Sequence, residues 1–441
     1  MKKILPGATL ALALALTACS PATPGSTDAP GTSAKPQQLT FLTHWGPDQV
    51  KMLEDAGAAY TKDHPGITVT IQAVPFANLL STLRTQGSSA DGPAIVGIYD
   101  AWLPELVRDG LAGEAPTDVV SEVSANWPAN IVAAASKNGK LYGIPNEIDL
   151  YALNYNQALF DRANIAAPPT TWAEMTDDAK KIAALGDGIQ GIGFITNWVS
   201  GVDHPFLSLL ASNGGTFLNS DGTAAALDSA AAQQTAELYQ TLRDAKATDM
   251  TMSPANANTT GPFLDNFAGG KTGMIIMANW WQSSLKDAMG ANFANIKTAP
   301  IPVGPSGTKS SSISYSWMTM VNAAADPDRQ AAAWAFLKWL NGPDSGKDGT
   351  SAMGGILLSM GILPTRNSDV TANAATLGTP FLKTYVDSMA NATPFPTVIG
   401  GPAAADALQK QIEALLAGQT DAAGAMKAAT TDVNSALKAA Q

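Results

Sequence analysis

Downstream of Gln38, the apolar positions follow two patterns that alternate along the chain. Residues 39–43 and 94–98 are short apolar runs, and Ile67, Val69 and Ile71 alternate with polar residues, so each segment is predicted to be a strand. Apolar residues spaced three or four apart predict helices at residues 50–60, 79–83 and 103–107. Strands that alternate with helices indicate a doubly wound α/β lobe.

A second α/β pattern begins after about Tyr155. Thr171 and Glu174 form a capping box that opens a predicted helix. Further strands are expected at 191–196, 274–278 and 317–321, and further helices at 230–245, 326–340 and 403–441. A chain of this length exceeds what one hydrophobic core usually serves, so two lobes are expected.

The N-terminus has the pattern of an export signal. Lys2 and Lys3 precede the apolar run Ile4–Leu16, whose residues at about 1.5 Å each span roughly 20 Å, too short to cross a bilayer core. Residues 1–18 are therefore predicted to be a signal peptide that is removed. The run ends in the sequence LTAC, which resembles the lipobox of bacterial lipoproteins and implies acylation of Cys19. A chance cysteine beside an ordinary cleavage site is the alternative.

Composition limits the interpretation of the mature chain further. Cys19 is the only cysteine, so no intramolecular disulfide can form. Residues 20–38 contain mainly Ser, Pro, Thr, Ala and Gly, so we expect segment 19–38 to be a lipidated cysteine with a flexible stalk. The formal net charge is −11 for the full chain and becomes −13 when Lys2 and Lys3 are removed, which with the lack of a basic run argues against nucleic acid or an anionic lipid surface as a partner. The lipid anchor is then the only membrane contact that we expect.

Signals for a cofactor, a metal or a catalytic nucleophile are poor. His44, His64 and His204 are scattered without zinc-ligand spacing, and the chain contains no GxSxG motif. Residues 265–272 (DNFAGGKT) come close to a P-loop, but Asp265 replaces the first glycine and would repel phosphate. We therefore expect no cofactor and no metal, and we interpret this segment as a turn that leads into a strand.

Glu147 and Asp149 are candidate functional carboxylates. In an extended segment they lie on one face with Cα atoms about 6.6 Å apart, which is compatible with a glycosidase pair. The alternatives are that they accept hydrogen bonds from sugar hydroxyls or form a solvated strand edge. Binding of hydroxyls is the interpretation that we favour.

Aromatic side chains beside polar residues indicate a class of ligand. Segments 44–47 and 99–102 each follow a predicted strand, at the edge where open α/β sheets bind ligands. Indole rings stack on the apolar C–H faces of sugars, while carboxylates pair with sugar hydroxyls. The tryptophans expected in loops or at strand ends are Trp45, Trp102, Trp198, Trp280, Trp281 and Trp317. An ordinary core position is the alternative for each, and it is preferred for Trp127, Trp172, Trp334 and Trp339.

A series of short motifs follows the first strand in a characteristic order. Trp45 is followed by DGPAIV (91–96) leading to Asp100, GKLYGIP (139–145), YALNYN (151–156), PTTW (169–172), NGG (213–215), residues 267–271 with 274–280, and LPTR (363–366). In this joint order, the mature chain resembles the extracellular solute-binding proteins of family 1. This is the maltose-binding-protein-like group that serves ATP-driven sugar importers.

The resemblance implies a class II periplasmic-binding-protein-like fold. Two α/β lobes, each a doubly wound sheet, would be joined by crossover hinge strands and would close around solute. The chain would cross between the lobes near 146–151, 300–303 and 355–362. The implied N-terminal lobe comprises residues 39–147 and 303–356, and the implied C-terminal lobe comprises residues 148–302 and 357–441.

The resemblance also implies which residues would contact ligand. Asp100 matches a hydroxyl-binding acid, Asp149 a second carboxylate at the crossover, His204 a stacking aromatic residue and Trp280 the principal stacking tryptophan. Neighbours on the same loops and weaker matches complete the expected set: Trp45, Trp102, Glu147, Tyr151, Trp198, Trp281, Trp317 and Arg366. Residues 314–317 (SYSW) depart from the Gly-Gly-Trp-like turn of many sugar binders, so the backbone there approaches a ligand less freely.

The function implied by the resemblance is that of a monomeric, non-enzymatic lipoprotein. It would capture a mono- or oligosaccharide in the periplasm or at the outer face of a bacterial cell membrane and deliver it to the permease subunits of an ABC importer. A glycerol-phosphate or polyol binder of the same type is one alternative, which needs Arg or Lys in the cleft, where the sequence offers only Arg366. A surface glycosidase that uses Glu147 and Asp149 is the other.

Overall fold

The computed structural model describes residues 35–256 and 259–441. The predicted signal peptide, Cys19 and most of the predicted stalk lie outside the described residues. Gln37 and Gln38 were expected in the stalk, but they are the first residues of a strand, because Gln37–Thr43 pairs in parallel with Ile67–Ala73 over its whole length. The predicted stalk therefore extends two residues too far.

Strands and helices alternate through most of the described chain. The strands are β1 Gln37–Thr43, β2 Ile67–Ala73, β3 Ile95–Tyr99, β4 Ser136–Lys137, β5 Lys140–Leu141, β6 Gly143–Asn156, β7 Gln190–Gly193, β8 Thr272–Ala278, β9 Ile296–Ala299, β10 Ile313–Val321, β11 Leu363–Pro364 and β12 Thr393–Pro394. The helices are α1 Pro47–Asp63, α2 Phe76–Gln86, α3 Leu103–Arg108, α4 Thr117–Asn126, α5 Ala129–Ala134, α6 Gln157–Arg162, α7 Trp172–Ala183, α8 Val199–Ser212, α9 Ala230–Asp244, α10 Pro262–Ala268, α11 Trp281–Met289, α12 Pro327–Leu340, α13 Ala352–Met360, α14 Asn367–Ala372, α15 Ala374–Leu377, α16 Pro380–Ser388, α17 Gly401–Leu416 and α18 Ala422–Ala440. Short 3-10 helices cover Asp100–Trp102, Met250–Met252, Gly290–Asn295, Pro343–Ser345 and Met389–Asn391.

The main sheet has the strand order β2-β1-β3-β10-β6-β8-β7. β1 is parallel to β2 and β3, whereas β10 runs antiparallel to both β3 and β6. β7 and β8 are parallel to each other, and β8 and β9 both pair antiparallel with β6. On each side of β6 and β10, parallel strands are connected through helices, which confirms the predicted α/β fold class.

The long strand β6 connects the two parts of the sheet. Its first half, Gly143–Leu150, pairs with β10, and its second half, Tyr151–Asn156, pairs with β8 and β9. The register shifts between Trp317 and Met318 of β10, so that one residue of β6 is left over opposite them. Such a bulge bends a strand and increases its twist, and this one adjoins Glu147.

Local sequence signals explain several helix boundaries. α1 buries Leu53, Ala56, Gly57 and Tyr60, whose spacing places them on one face. α7 begins at the predicted capping box, in which Thr171 accepts from the Glu174 amide and Glu174 accepts from the Thr171 amide. These elements confirm the helices predicted at 50–60 and after residue 171.

Two predicted elements differ from the structure, and the predicted helical tail is confirmed as a pair of helices. The strand expected at 191–196 ends at Gly193, and Thr196 makes only an isolated bridge to Pro254. Residues 355–360, expected in a crossover strand, are helical because Ser351 caps the start of α13 and Gly361 ends it in a left-handed conformation. The helical tail is two packed helices, α17 and α18, separated by a turn at Gly418 with φ of +71°.

Candidate functional site

A cavity of about 380 Å³ lies at the carboxyl ends of β1 and β3. The turn after β1, the end of β3, the middle of β6 and β10, the residues after β8 and the end of α13 all contribute to its lining. Open α/β sheets bind ligands at this edge because the strand ends present loops and helix starts there. The cavity therefore occupies the position at which the sequence predicted a ligand.

Half of the expected ligand contacts line this cavity. They come from the turn after β1, from β6, from the residues before α8 and α11, and from β10: Trp45, Glu147, Asp149, Trp198, Trp280 and Trp317. The structure thus brings together residues more than two hundred positions apart in the chain. Their contact with a ligand stays a prediction.

Asp100 and Trp102, also expected as ligand contacts, do not line the cavity. The chain turns into a 3-10 helix directly after β3, so that Asp100 Oδ2 accepts a hydrogen bond from the Ser316 amide at 3.0 Å. Trp102 packs edge-on against Trp317, with ring centroids 5.6 Å apart. Both side chains lie behind the wall of the cavity. Burial raises the pKa of Asp100 to about 8.

Tyr151 and His204 form a buried polar layer instead of lining the cavity. The Tyr151 hydroxyl donates to the Ser200 carbonyl oxygen at 3.2 Å, so its oxygen must accept the hydrogen bond from His204 Nδ1 at 3.2 Å. His204 Nε2 then accepts from the Tyr99 hydroxyl at 3.2 Å. Burial lowers the pKa of His204 to about 3, which keeps the ring neutral. This layer positions Tyr99 and Ser200, which do line the cavity.

Trp281 and Arg366 also lie away from the cavity. Trp281 is fully buried as the first residue of α11, with its ring 5.0 Å from Phe267. The Arg366 guanidinium lies 5.8 Å from the Trp127 ring centroid and 4.0 Å from the Asp369 carboxylate. Arg366 therefore stabilises local packing and supplies no charge to the cavity.

Seven Trp, Tyr and Phe side chains line the cavity. Trp280 Nε1 donates to the Tyr315 hydroxyl at 2.7 Å, and the Trp280 ring centroid lies 5.9 Å from that of Trp198. Tyr99, the last residue of β3, stacks on Trp317 of the adjacent strand β10, with ring centroids 5.9 Å apart. Because each ring is held by a neighbour, the wall is pre-formed for a flat apolar ligand face.

Glu147 and Asp149 provide the buried polar part of the lining. They are 3 % and 1 % exposed, and they lie two residues apart on β6 and interact directly. Burial first, and the neighbouring Asp149 second, raise the pKa of Glu147 well above its usual range. Burial also raises the pKa of Asp149, against the lowering effect of the Asn279 amide, which donates to Oδ1 at 2.8 Å.

Three polar atoms of lining residues have no hydrogen-bond partner. Within residues 35–256 and 259–441, they are His44 Nδ1, Glu147 Oε2 and Trp198 Nε1, and all three are buried. The Trp198 indole nitrogen is a donor, and an ionised Glu147 carboxylate is an acceptor. A ligand that carries both hydrogen-bonding types beside an apolar face would complement this lining.

Sequence reasoning missed a further set of lining residues. His44, Gly46, Pro47, Asp48, Gln49, Phe76, Tyr99, Ser200, Thr259, Ser283, Ser284, Asp287, Tyr315, Met360 and Ile362 also line the cavity. His44 and Tyr99 lay in the segments identified at strand ends, and Tyr315 is two residues from Trp317 on β10, so period-two alternation could have identified it. No local signal marks Phe76, which begins α2.

Charge and metal chemistry are restricted at this cavity. No Lys or Arg of the described chain lines it, and burial lowers the pKa of His44 to about 4. No group of three or more His, Cys, Asp or Glu among the described residues is arranged to hold a metal ion. In the same part of the chain, every helix is too short or too polar to cross a bilayer.

Comparison with known proteins assigns this chain to a family. Residues 46–347 match the family model of the bacterial extracellular solute-binding proteins. A binding protein of Brucella abortus is 29% identical over 65% of this chain and 67% of its own length. The maltooligosaccharide ABC transporter solute-binding lipoprotein of Streptococcus pneumoniae is 26% identical over 69% of this chain and 68% of its own length.

A solved structure shows the same fold. The GacH receptor of Streptomyces glaucescens superimposes with a TM-score of 0.78 and 21% identity, covering 92% of this chain and 99% of the receptor. This likeness matches the two-lobed α/β architecture predicted from the sequence. The chain belongs to the bacterial extracellular solute-binding proteins.

Proposed function

We propose that this chain binds a mono- or oligosaccharide in the cavity and delivers it to the permease of an ABC importer. The observation that carries the proposal is the combination of held aromatic rings with a buried acid pair at one cavity. Sugars present apolar C–H faces and a rim of hydroxyls, and the two kinds of lining match these two surfaces.

The magnitudes are consistent with micromolar binding. A dissociation constant near 1 μM corresponds to about −8.2 kcal/mol. Two indoles that each bury about 100 Å² against a sugar contribute roughly 5 kcal/mol at about 25 cal/mol/Å². Hydrogen bonds to the free atoms of Glu147 and Trp198 must then offset the cost of ordering. Stacking and hydroxyl pairing are both needed.

The names of similar proteins support a carbohydrate ligand. The pneumococcal relative is named for maltooligosaccharide transport, and the Streptomyces receptor was solved in complex with acarbose. Neither alternative from the sequence gains support. A phosphate binder needs a cation, and Arg366 lies away from the cavity. A glycosidase keeps its two carboxyl groups about 5–5.5 Å apart if it is retaining and about 6.5–9.5 Å apart if it is inverting, whereas Glu147 and Asp149 form a buried, interacting pair.

The setting of this activity is also part of the proposal. The chain acts outside the cytoplasm as a monomer without cofactor, anchored through acylated Cys19. The lobes comprise residues 39–147 with 303–356 and residues 148–302 with 357–441. Ligand binding shifts the population toward the form in which both lobes contact the sugar. The anchor would keep the binder near its permease at a high effective concentration.

Replacement of Trp280 by alanine tests the site. It removes a ring of the wall and the donor to Tyr315, so the Kd for a bound sugar is expected to rise at least about tenfold. Trp339→Ala is the matched control, because Trp339 lies on α12 and packs against Tyr60, away from the cavity. Isothermal titration calorimetry with the same sugar compares both variants. A Kd of Trp280→Ala within twofold of the unaltered protein would reject this site.

A further inference from the structure

The lining of the cavity is acidic and has no counter-charge. Asp48 and Asp287 are exposed at its rim, and Glu147 and Asp149 are buried in its wall. Among the described residues, no Lys or Arg lines it. The nearest lysine in sequence to this rim, Lys286, lies over the Phe293 ring at 5.6 Å.

The groups that face the acid pair add no positive charge. Tyr315 lies opposite Asp149 in the pairing of β10 with β6, and repulsion by Asp149 contributes to the raised pKa values of Asp100, Tyr99 and Tyr315. The one side chain that donates to the pair is the neutral amide of Asn279. Two adjoining buried carboxyl groups cannot both ionise without compensation, so the pair retains a proton until a cation neutralises it.

The aromatic wall favours a cation as well. The faces of indole and phenol rings carry negative potential, which attracts an ammonium group within about 6 Å of the ring centroid. Trp198, Trp280 and Trp317 line the same cavity as the carboxylates. Glu147 also lines this cavity, and its buried Oε2 has no hydrogen-bond partner in residues 35–256 and 259–441.

We propose that the cavity prefers a sugar that carries a protonated amine over the same sugar with a hydroxyl in its place, and that the ammonium group pairs with Glu147 and Asp149. This inference rests on the proposed carbohydrate function. The ammonium takes the place of the proton held by the pair, and that proton passes to the solvent buffer. A sugar carboxylate or phosphate at the same position is repelled by the pair and rejected.

Matched ligands on one scaffold test this preference. The probes are cellobiose, the β-1,4-linked glucosamine disaccharide and its di-N-acetyl form, with glucose, glucosamine and glucuronate as the single-ring set. The amine form is expected to bind at least about tenfold tighter than the hydroxyl form, since charge-assisted hydrogen bonds exceed neutral ones. Acetylation, which keeps the nitrogen and removes its charge, should abolish the gain. Calorimetry in buffers of different ionisation enthalpy should show proton release for the amine alone.

Glu147→Gln identifies the group responsible. It is expected to bring the affinities of the amine and hydroxyl forms within twofold of each other, while Asp387→Asn, an exposed acid paired with Lys383 on α16, preserves the difference. If a thermal melt shows that Glu147→Gln is unfolded, Asp149→Asn carries the same comparison, because its amide oxygen can still accept from Asn279.

The outcomes separate this inference from the function on which it rests. Tighter or equal binding of the hydroxyl forms overturns the amine preference and leaves sugar binding intact. Absence of binding by every probe, charged and neutral, overturns both. An amine preference that survives Glu147→Gln also contradicts the assignment of the acid pair.

Discussion

At the scale of single residues, Asp203 is buried in an unusual way. It is fully buried on α8, and neither of its carboxyl oxygens has a hydrogen-bond partner among the described residues. Burial first, and the nearby acids Asp406 and Glu413 second, raise its pKa well above the usual range. Asp203 is thus protonated in the folded state at pH values at which the unfolded chain releases that proton.

The asparagine variant tests this. Because the folded state binds the extra proton, Asp203 lowers stability as the pH rises from about 4, its unfolded pKa, toward the raised folded pKa. Asp203→Asn is expected to increase the free energy of unfolding at pH 7 by about 1–3 kcal/mol and to have little effect at pH 4. Urea denaturation at both pH values measures the difference. Asp387→Asn is the control and is expected to change the free energy of unfolding by nearly zero. A change in Asp203→Asn that is equal at pH 7 and pH 4, or as small as that of the control, would contradict the prediction.

Individual side chains were also the least predictable part of the site. Trp280 and Trp281 are adjacent in sequence, yet one lines the cavity and the other is fully buried against Phe267. Both are indoles next to polar residues, so composition could not separate them. Only the start of α11 at Trp281, which turns that ring inward, decides the difference. Glu147 and Asp149 were predictable because period-two spacing on a strand fixes a shared face.

At the scale of elements, one glycine inside α13 and one directly after it have opposite roles. Gly361 ends the helix with φ of +84°, and an added Cβ would lie 2.8 Å from the Gln282 side chain. Its carbonyl also accepts from Asn279, the residue that donates to Asp149. Gly355 lies inside the helix with no heavy atom within 4 Å of an added Cβ.

Alanine at these two positions should therefore give opposite effects. Gly361→Ala is expected to lower the free energy of unfolding by about 1–2 kcal/mol and to weaken sugar binding, because it disturbs the support of Asp149. Gly355→Ala is expected to raise the free energy of unfolding by about 0.5–1 kcal/mol without an effect on sugar affinity. Chemical denaturation and calorimetry of both variants make the comparison. Destabilisation of equal size in both would contradict it.

The predictability of the elements follows from their patterns. β1, β2 and β3 with their intervening helices were predictable, because apolar spacing of two or of three to four is unambiguous there. α13 was not, since its apolar run GGILLSM fits a buried strand or a helix equally well. β6 was only partly predictable, because it is buried almost throughout and carries polar residues such as Asn154 inside the fold.

At the scale of the whole molecule, the cavity needs elements from most of the chain. β6 belongs to both parts of the sheet, and the residues that line the cavity extend from His44 to Ile362. A ligand held there contacts segments that are distant in sequence, so binding is coupled to the folded arrangement of the whole unit, residues 36–441. At a sugar concentration of 100 times Kd, this coupling is worth about 2.7 kcal/mol of added stability.

The most direct test of the central claim is calorimetric titration of the purified protein with the sugar that raises its melting temperature most. The account predicts one sugar per chain, a Kd near the micromolar range and a negative heat-capacity change from burial against the aromatic wall. It also predicts that the Kd rises at least about tenfold in Trp280→Ala but not in Trp339→Ala. Absence of binding heat and of thermal stabilisation across neutral and amine-bearing mono- and oligosaccharides would contradict it.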